Sequence, residues 1–182
     1  SQRSFSMAMD NGIPGGVFTE DIIVTPFGKA KVYRGESEYA DLVFLARHGV
    51  NHSVPPHKIN YKANIKALSM LGVKNVLATF AVGSLREHLR PGMFVIVDQF
   101  VDRSFARQKS FFTTGCVAHV SMAQPTCARL GIHIEEAAKE AGIGIVRGGT
   151  YLVMEGPQFS SLAESELYRS WSCDVIGMTN MP

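Results

Sequence analysis

Short runs that are apolar almost throughout recur along this chain, and most break off at a polar or glycine-bearing loop. Leu42-Val-Phe-Leu-Ala46, Asn75-Val-Leu-Ala-Thr79, Phe94-Val-Ile-Val97 and Tyr151-Leu-Val-Met154 are of this kind. A strand with one face in water alternates polar and apolar residues; a strand covered on both faces need not. These runs therefore predict strands of a sheet with helices packed on it, and the intervening segments supply helices. Residues 60–71 predict one, with Ile59, Ala63, Ala67 and Met70 on a common face and Gly72 as its stop. Leu130, Ile134, Ala137 and Ala141 mark another, ended by Gly142. Ser161 stands three residues before Glu164, the capping-box spacing that opens a helix. Ala163, Leu167 and Trp171 follow at steps of four as an expected buried stripe, and Asp174-Val-Ile-Gly177 predicts a last short strand. Alternation of β and α argues for a three-layer α/β domain with a largely parallel sheet.

The rest of the chain is punctuation or connection. Residues 1–24 read as a poorly defined lead-in, with Asn11-Gly-Ile-Pro-Gly-Gly16 a plain loop in preference to half of a phosphate-cradling turn. Thr25-Pro-Phe-Gly28 predicts a turn, and Lys29 to Asp41 is rich in charge. The domain proper is expected over 25–182. Residues 102–127 read as one long loop, a length that points to function or to contact with a partner.

Charge and composition exclude several roles. A formal charge of +2 over 182 residues, with Lys and Arg unclustered, does not fit a nucleic-acid binder. No run approaches the ~20 apolar residues that span a bilayer, and Ser1–Met7 lacks the apolar core of a secretory signal. Cys116, Cys127 and Cys173 form no Cys-x-x-Cys pair, which argues against a zinc site or a disulfide framework. Reduced thiols in a cytoplasmic protein are the simplest expectation.

The strand ends carry the candidate chemistry. Arg47-His48-Gly49 offers a planar fork of donors, a second donor, and a backbone that a ligand can approach closely. The alternative is a surface arginine beside a turn glycine. His52 and His57 have no metal-binding spacing and read as loop polar groups. In a parallel sheet, the ends at Arg47–His48, Thr79–Ala81 and Met178–Thr179 would converge on an anion.

Several motifs in order carry a resemblance. Leu45-Ala-Arg-His-Gly49, Lys58-Ile-Asn-Tyr-Lys-Ala-Asn-Ile65, Gly83-Ser-Leu-Arg-Glu87, Asp98–Arg103, Glu155-Gly-Pro-Gln-Phe159 and Ile176-Gly-Met-Thr179 together resemble the trimeric nucleoside phosphorylases. The branch they resemble most acts on 5′-methylthioadenosine. The resemblance covers about Thr25 to Pro182 and implies a nucleoside-phosphorylase-like fold with a central mixed, largely parallel sheet. It implies phosphorolysis of 5′-methylthioadenosine to adenine and 5-methylthioribose 1-phosphate, in a homotrimer, with phosphate as co-substrate and neither metal nor organic cofactor. By the same resemblance Arg47, His48, Thr179 and the backbone of Phe80 and Ala81 would bind phosphate. Met178 would line the pentose and base region, Phe159 would stack on the purine, and His119 would reach a neighbouring subunit's site. Phosphorylases of 6-oxopurines carry Glu where this chain has Ser160. Adenine lacks the ring proton that such a carboxylate would accept, so a short neutral hydroxyl suits a 6-aminopurine.

Against the family pattern, Gly15-Gly16 is followed by Val17-Phe18, so the hydroxyl of the family's first phosphate loop is expected to be missing. Phe80 stands where near relatives carry a phosphate-binding Thr. Family chains continue past the position of Pro182 through an Asp that hydrogen-bonds the leaving purine. No catalytic residue is therefore assigned here, and strand 174–177 is expected at a sheet edge. The chain is expected to be a fragment or a truncation, incomplete on its C-terminal side. The alternatives are a phosphorylase of 6-oxopurine nucleosides or methylthioinosine, and an inactive homologue that binds phosphate, nucleoside or other subunits.

Overall fold

A computed structural model of the chain describes residues 18–36 and 41–182. The expected glycine loop at 11–16 lies outside the described residues. The chain divides into two compact units, one ending at Thr79 and one running Phe80–Pro182.

The first unit is built on an antiparallel sheet of β1 (Phe18–Thr25), β2 (Gly28–Glu36) and β3 (Asp41–Phe44). The expected turn joins β1 to β2: the Thr25 hydroxyl donates to Gly28 O at 2.7 Å and accepts from Phe27 N at 3.1 Å. Gly28 sits at φ 120°, a conformation that side chains resist. Residues 29–36 of the charge-rich segment are thus part of a strand, and 18–24 of the expected lead-in is its hairpin partner. Ala30 and Val32 are buried and Lys29 and Lys31 exposed, the period of two that one-sided burial requires, until Tyr33, also buried, and exposed Arg34 break it. Strand β3 is half-buried and antiparallel, where the apolar run predicted full cover in a parallel sheet.

Helix α1 (Tyr61–Met70) packs on this sheet. Ile59, Ala63 and Ala67 are buried as expected, whereas Met70 at the helix end is exposed. Asn60 caps the helix by accepting from Ala63 N at 3.0 Å, and its amide donates to Phe27 O of the hairpin turn at 2.7 Å. The apolar run 75–79 is not a strand: among the described residues it joins no ladder, and Val76 and Leu77 are exposed.

The second unit has a mixed four-stranded sheet, ordered β4 (Gly83–Ser84), β9 (Val175–Gly177), β8 (Thr150–Val153) and β6 (Gln99–Asp102). β6, β8 and β9 run parallel, and β4 is antiparallel to β9. The expected edge position of the last strand is therefore corrected: β9 lies between β4 and β8. β5 (Phe94–Ile96) and β7 (Ile145–Arg147) form a separate parallel pair against which α2 (Ala128–Glu140) packs. In α2, Gly131 and Ala138 are buried and Leu130 and Ile134 half-buried, while the expected Ala137 and Ala141 are exposed. Residues 103–127 contain neither helix nor strand, as the loop reading anticipated.

β8 shows why its run is apolar throughout. Leu152 packs with Leu85, Tyr168, Cys173 and Ile176, while Tyr151 and Val153 pack with Leu89 and Val175 in a second cluster. Helix α3 (Leu162–Ser170) opens with the full capping box: Glu164 N donates to Ser161 Oγ at 3.2 Å and Ser161 N to Glu164 Oε2 at 2.7 Å. Its expected stripe is corrected. Ala163, Leu167 and Trp171 are exposed, and Tyr168, one position round from Leu167, is the buried anchor. Trp171 stays outside, 5.7 Å from the Tyr168 ring and 5.6 Å from the Arg103 guanidinium.

Candidate active site

In the first unit, Arg47 and His48 enter a tight turn three residues after β3, closed by Gly49 N donating to Ala46 O at 2.8 Å. Arg47 Nη2 donates to Thr79 O at 2.8 Å, tying this turn to the end of the 75–79 segment. His48 Nδ1 lies 2.8 Å from Val54 O, and its ring stacks on His52 at 4.4 Å. Burial pushes the His48 pKa down, Val54 O pulls it up, and the charges of Arg47 and His52 push it down again; the net is below the usual 6.5. A neutral ring that donates from Nδ1 to a carbonyl presents Nε2 as an acceptor. His48 thus offers an acceptor next to the Arg47 cation.

In the second unit, the candidate residues lie just past the parallel ends of β8 and β9. Met178 crosses the 156–157 turn so closely that a Cβ on Gly156 would lie 2.6 Å from its sulfur. Gly156 sits at φ 72°. Met178 and Thr179 are half-buried here, beside the segment leading to Phe159 and Ser160. Phe159 is 83% exposed, a ring face open to a ligand. Ser160 Oγ lies 2.8 Å from Ser165 Oγ of α3, so its hydroxyl has a fixed partner. The Phe80 and Tyr151 rings pack edge to face with centroids 5.5 Å apart, and a phenyl ring has no donor, so Phe80 and exposed Ala81 offer an anion only their backbone. His119 lies exposed in the long loop.

Sequence reasoning missed the polar centre of this unit. Arg107, whose side chain is only 2% exposed, pairs with Glu155 at 3.2 Å and donates to the carbonyls of Met154, Glu155, Met178 and Met181. Glu155 also accepts from Phe105 N at 2.7 Å and Ala106 N at 3.2 Å. Desolvation alone would raise the Glu155 pKa; those amides and Arg107 outweigh it and hold the carboxyl below the usual 4.5. Glu155 stood inside a recognised motif, but nothing local marked Arg107.

A family model described as "Phosphorylase superfamily" matches residues 17–182. The chain belongs to the phosphorylase superfamily. Among its relatives in the superfamily, the S-methyl-5′-thioadenosine phosphorylase of Rhodospirillum rubrum is 56% identical over 162 residues, 88% of this chain and 55% of the relative. That of Cereibacter sphaeroides is 53% identical over 174 residues, 94% of this chain and 59% of the relative. The chain thus spans little more than half the length of these curated relatives. Among solved structures, a methylthioadenosine phosphorylase from an antarctic soil metagenomic library matches with a TM-score of 0.89 at 40% identity, covering 96% of this chain and 63% of that one. The Schistosoma mansoni methylthioadenosine phosphorylase in complex with adenine matches at 0.88 and 32% identity, covering 96% and 71%. The α/β class and the nucleoside-phosphorylase fold follow from these likenesses.

Proposed function

We propose that this chain serves phosphorolysis of S-methyl-5′-thioadenosine. A phosphate oxygen forms a bond to the anomeric carbon, the glycosidic C–N bond breaks, and adenine leaves with the electron pair. The single observation that carries the reading is the similarity at 53–56% identity to enzymes of that name over most of this chain. Arg47 and neutral His48 would bind phosphate, with Thr179 and the Phe80–Ala81 backbone as further phosphate groups. Phe159 would stack on the base and Met178 would line the pentose. Ser160, held by Ser165, offers adenine a hydroxyl where a carboxylate would be desolvated without a partner. Phosphate is a substrate, and the reading needs no cofactor. The subunits would form a homotrimer, with the exposed apolar side chains of the 103–127 loop, among them Phe105, Val117 and Val120, as interface candidates. His119 on this loop would face a neighbouring site.

The test is adenine release from methylthioadenosine with and without phosphate, with the Rhodospirillum rubrum relative as positive control. Phosphate-dependent release supports the reading. Faster turnover of inosine or methylthioinosine replaces it with a 6-oxopurine phosphorylase. Calorimetric binding of nucleoside without turnover replaces it with a binding homologue.

A further inference from the structure

We propose that Arg107 is a positioning residue that sets the separation of the two loops forming the nucleoside subsite. The proposal rests on the reading above, which gives Phe159, Ser160, Met178 and Thr179 to that subsite. β8 and β9 pair in parallel through Val153↔Gly177, and Met154 N donating to Gly177 O at 2.9 Å is the last rung of the ladder. Past that rung the two backbones separate, and a side chain takes over from the ladder. Arg107 Nη1 donates at 2.6 Å to both Met178 O and Met181 O on the β9 side. Nη2 donates to Glu155 O at 2.7 Å and Met154 O at 3.3 Å on the β8 side. Nε pairs with the Glu155 carboxylate, which in turn holds the Phe105 and Ala106 amides.

One guanidinium therefore spans three segments: 105–107, 154–155 and 178–181. A buried ion pair is poor evidence for stability, because well-packed apolar residues often do as well. What apolar residues cannot do is read carbonyls at fixed angles. The rigid fork can, and lysine, with a compact ammonium on a flexible stem, cannot reproduce it. The long loop 103–127 thereby gains a link to the subsite through its first turn.

The test compares Arg107→Lys and Arg107→Met with the unaltered chain by calorimetry with methylthioadenosine and by amide hydrogen exchange. The expected result is affinity weakened about 10- to 100-fold in Arg107→Met and less in Arg107→Lys, as for a subsite loosened by about 1 Å. Exchange should quicken in 154–160 and 178–182 and stay unchanged in the β1–β2 hairpin. A merely structural role would lower thermal stability while the folded fraction bound as before. Unchanged exchange in those segments, or unchanged affinity in folded Arg107→Lys, overturns the proposal. If Arg107→Met does not fold, Arg107→Lys decides. If the unaltered chain binds no methylthioadenosine, the functional reading fails, and the exchange arm still decides whether Arg107 holds the two loops.

Discussion

Among the described residues, one buried ion pair distinguishes the two units. In the first, Lys31–Glu20 and Arg34–Asp21, each 2.8 Å apart, lie diagonally across the β1–β2 hairpin with side chains about a third to a half exposed. In the second, Arg107 and Glu155 are 2% and 10% exposed. Exposed pairs are screened by water and salt and contribute little. A buried pair is different in kind: removing one partner strands the other without solvent. The hairpin thus keeps its charges in partly exposed pairs around buried Ala30 and Val32, whereas the second unit also places a charged group at its centre.

The contrast is most easily broken at Glu155. Glu155→Leu leaves the Arg107 cation buried without its carboxylate, and should cost about 3–5 kcal/mol in denaturant unfolding. Trp171, the single tryptophan, reports on this unit by fluorescence. Adding Arg107→Met should recover part of that loss. A single-variant loss below about 1 kcal/mol would put this pair with the exposed ones.

Acid sharpens the same comparison. Glu155 and Asp102 both have lowered pKa values, Asp102 because hydrogen bonds from Lys109 and Ser104 outweigh its desolvation. Lowered carboxylates contribute stability that is present above their ordinary values, 4.5 and 3.8, and lost as pH falls through the folded values beneath them. Trp171 fluorescence should therefore show stability level near neutrality and declining below pH 4.5. Salt at ~1 M, where screening acts over ~3 Å, should change this decline little. It should abolish any acid sensitivity owed to exposed Glu20, whose pKa is lowered by its hydrogen bond to Lys31.

The helix caps make a finer comparison, since each unit has one. Ser161→Ala removes only a cap and should cost ~1 kcal/mol. Asn60→Ala also loses the bond to Phe27 O and should cost more, up to ~2 kcal/mol. Asn60→Asp keeps the acceptor and loses the donor, so its stability by thermal melting should fall between Asn60→Ala and the unaltered chain.

Caps were legible because they are local: Ser161 and Glu164 declare their geometry three residues apart. So was β8, whose unbroken apolar run records burial on both faces. Where the sequence misled, the deciding partner lay elsewhere. Val76 and Leu77 have strand chemistry but no ladder among the described residues. The α3 stripe followed helical spacing, yet Tyr168 found the core. The hairpin was hidden because Lys29 and Lys31 mask the alternation that Ala30 and Val32 keep, and Tyr33 and Arg34 then break it. Arg107 was beyond local reasoning altogether, since its acceptors lie 47 to 74 residues away.

Lys31→Met should have the smallest effect, and it tests the first half of the comparison most directly. Lys31 reaches Glu20 at 2.8 Å, but both side chains are about half exposed and Glu20 also accepts from Tyr33 Oη at 3.1 Å. Water and that hydroxyl can satisfy the carboxylate once the ammonium is gone. The register is fixed independently, because a one-residue slip would turn buried Ala30 and Val32 to solvent. The thermal midpoint by far-UV circular dichroism should then match that of the unaltered chain, at low and at high salt alike. A drop as large as that of Glu155→Leu would mean that the hairpin, too, is held by charge, and that exposure does not separate the two kinds of pair.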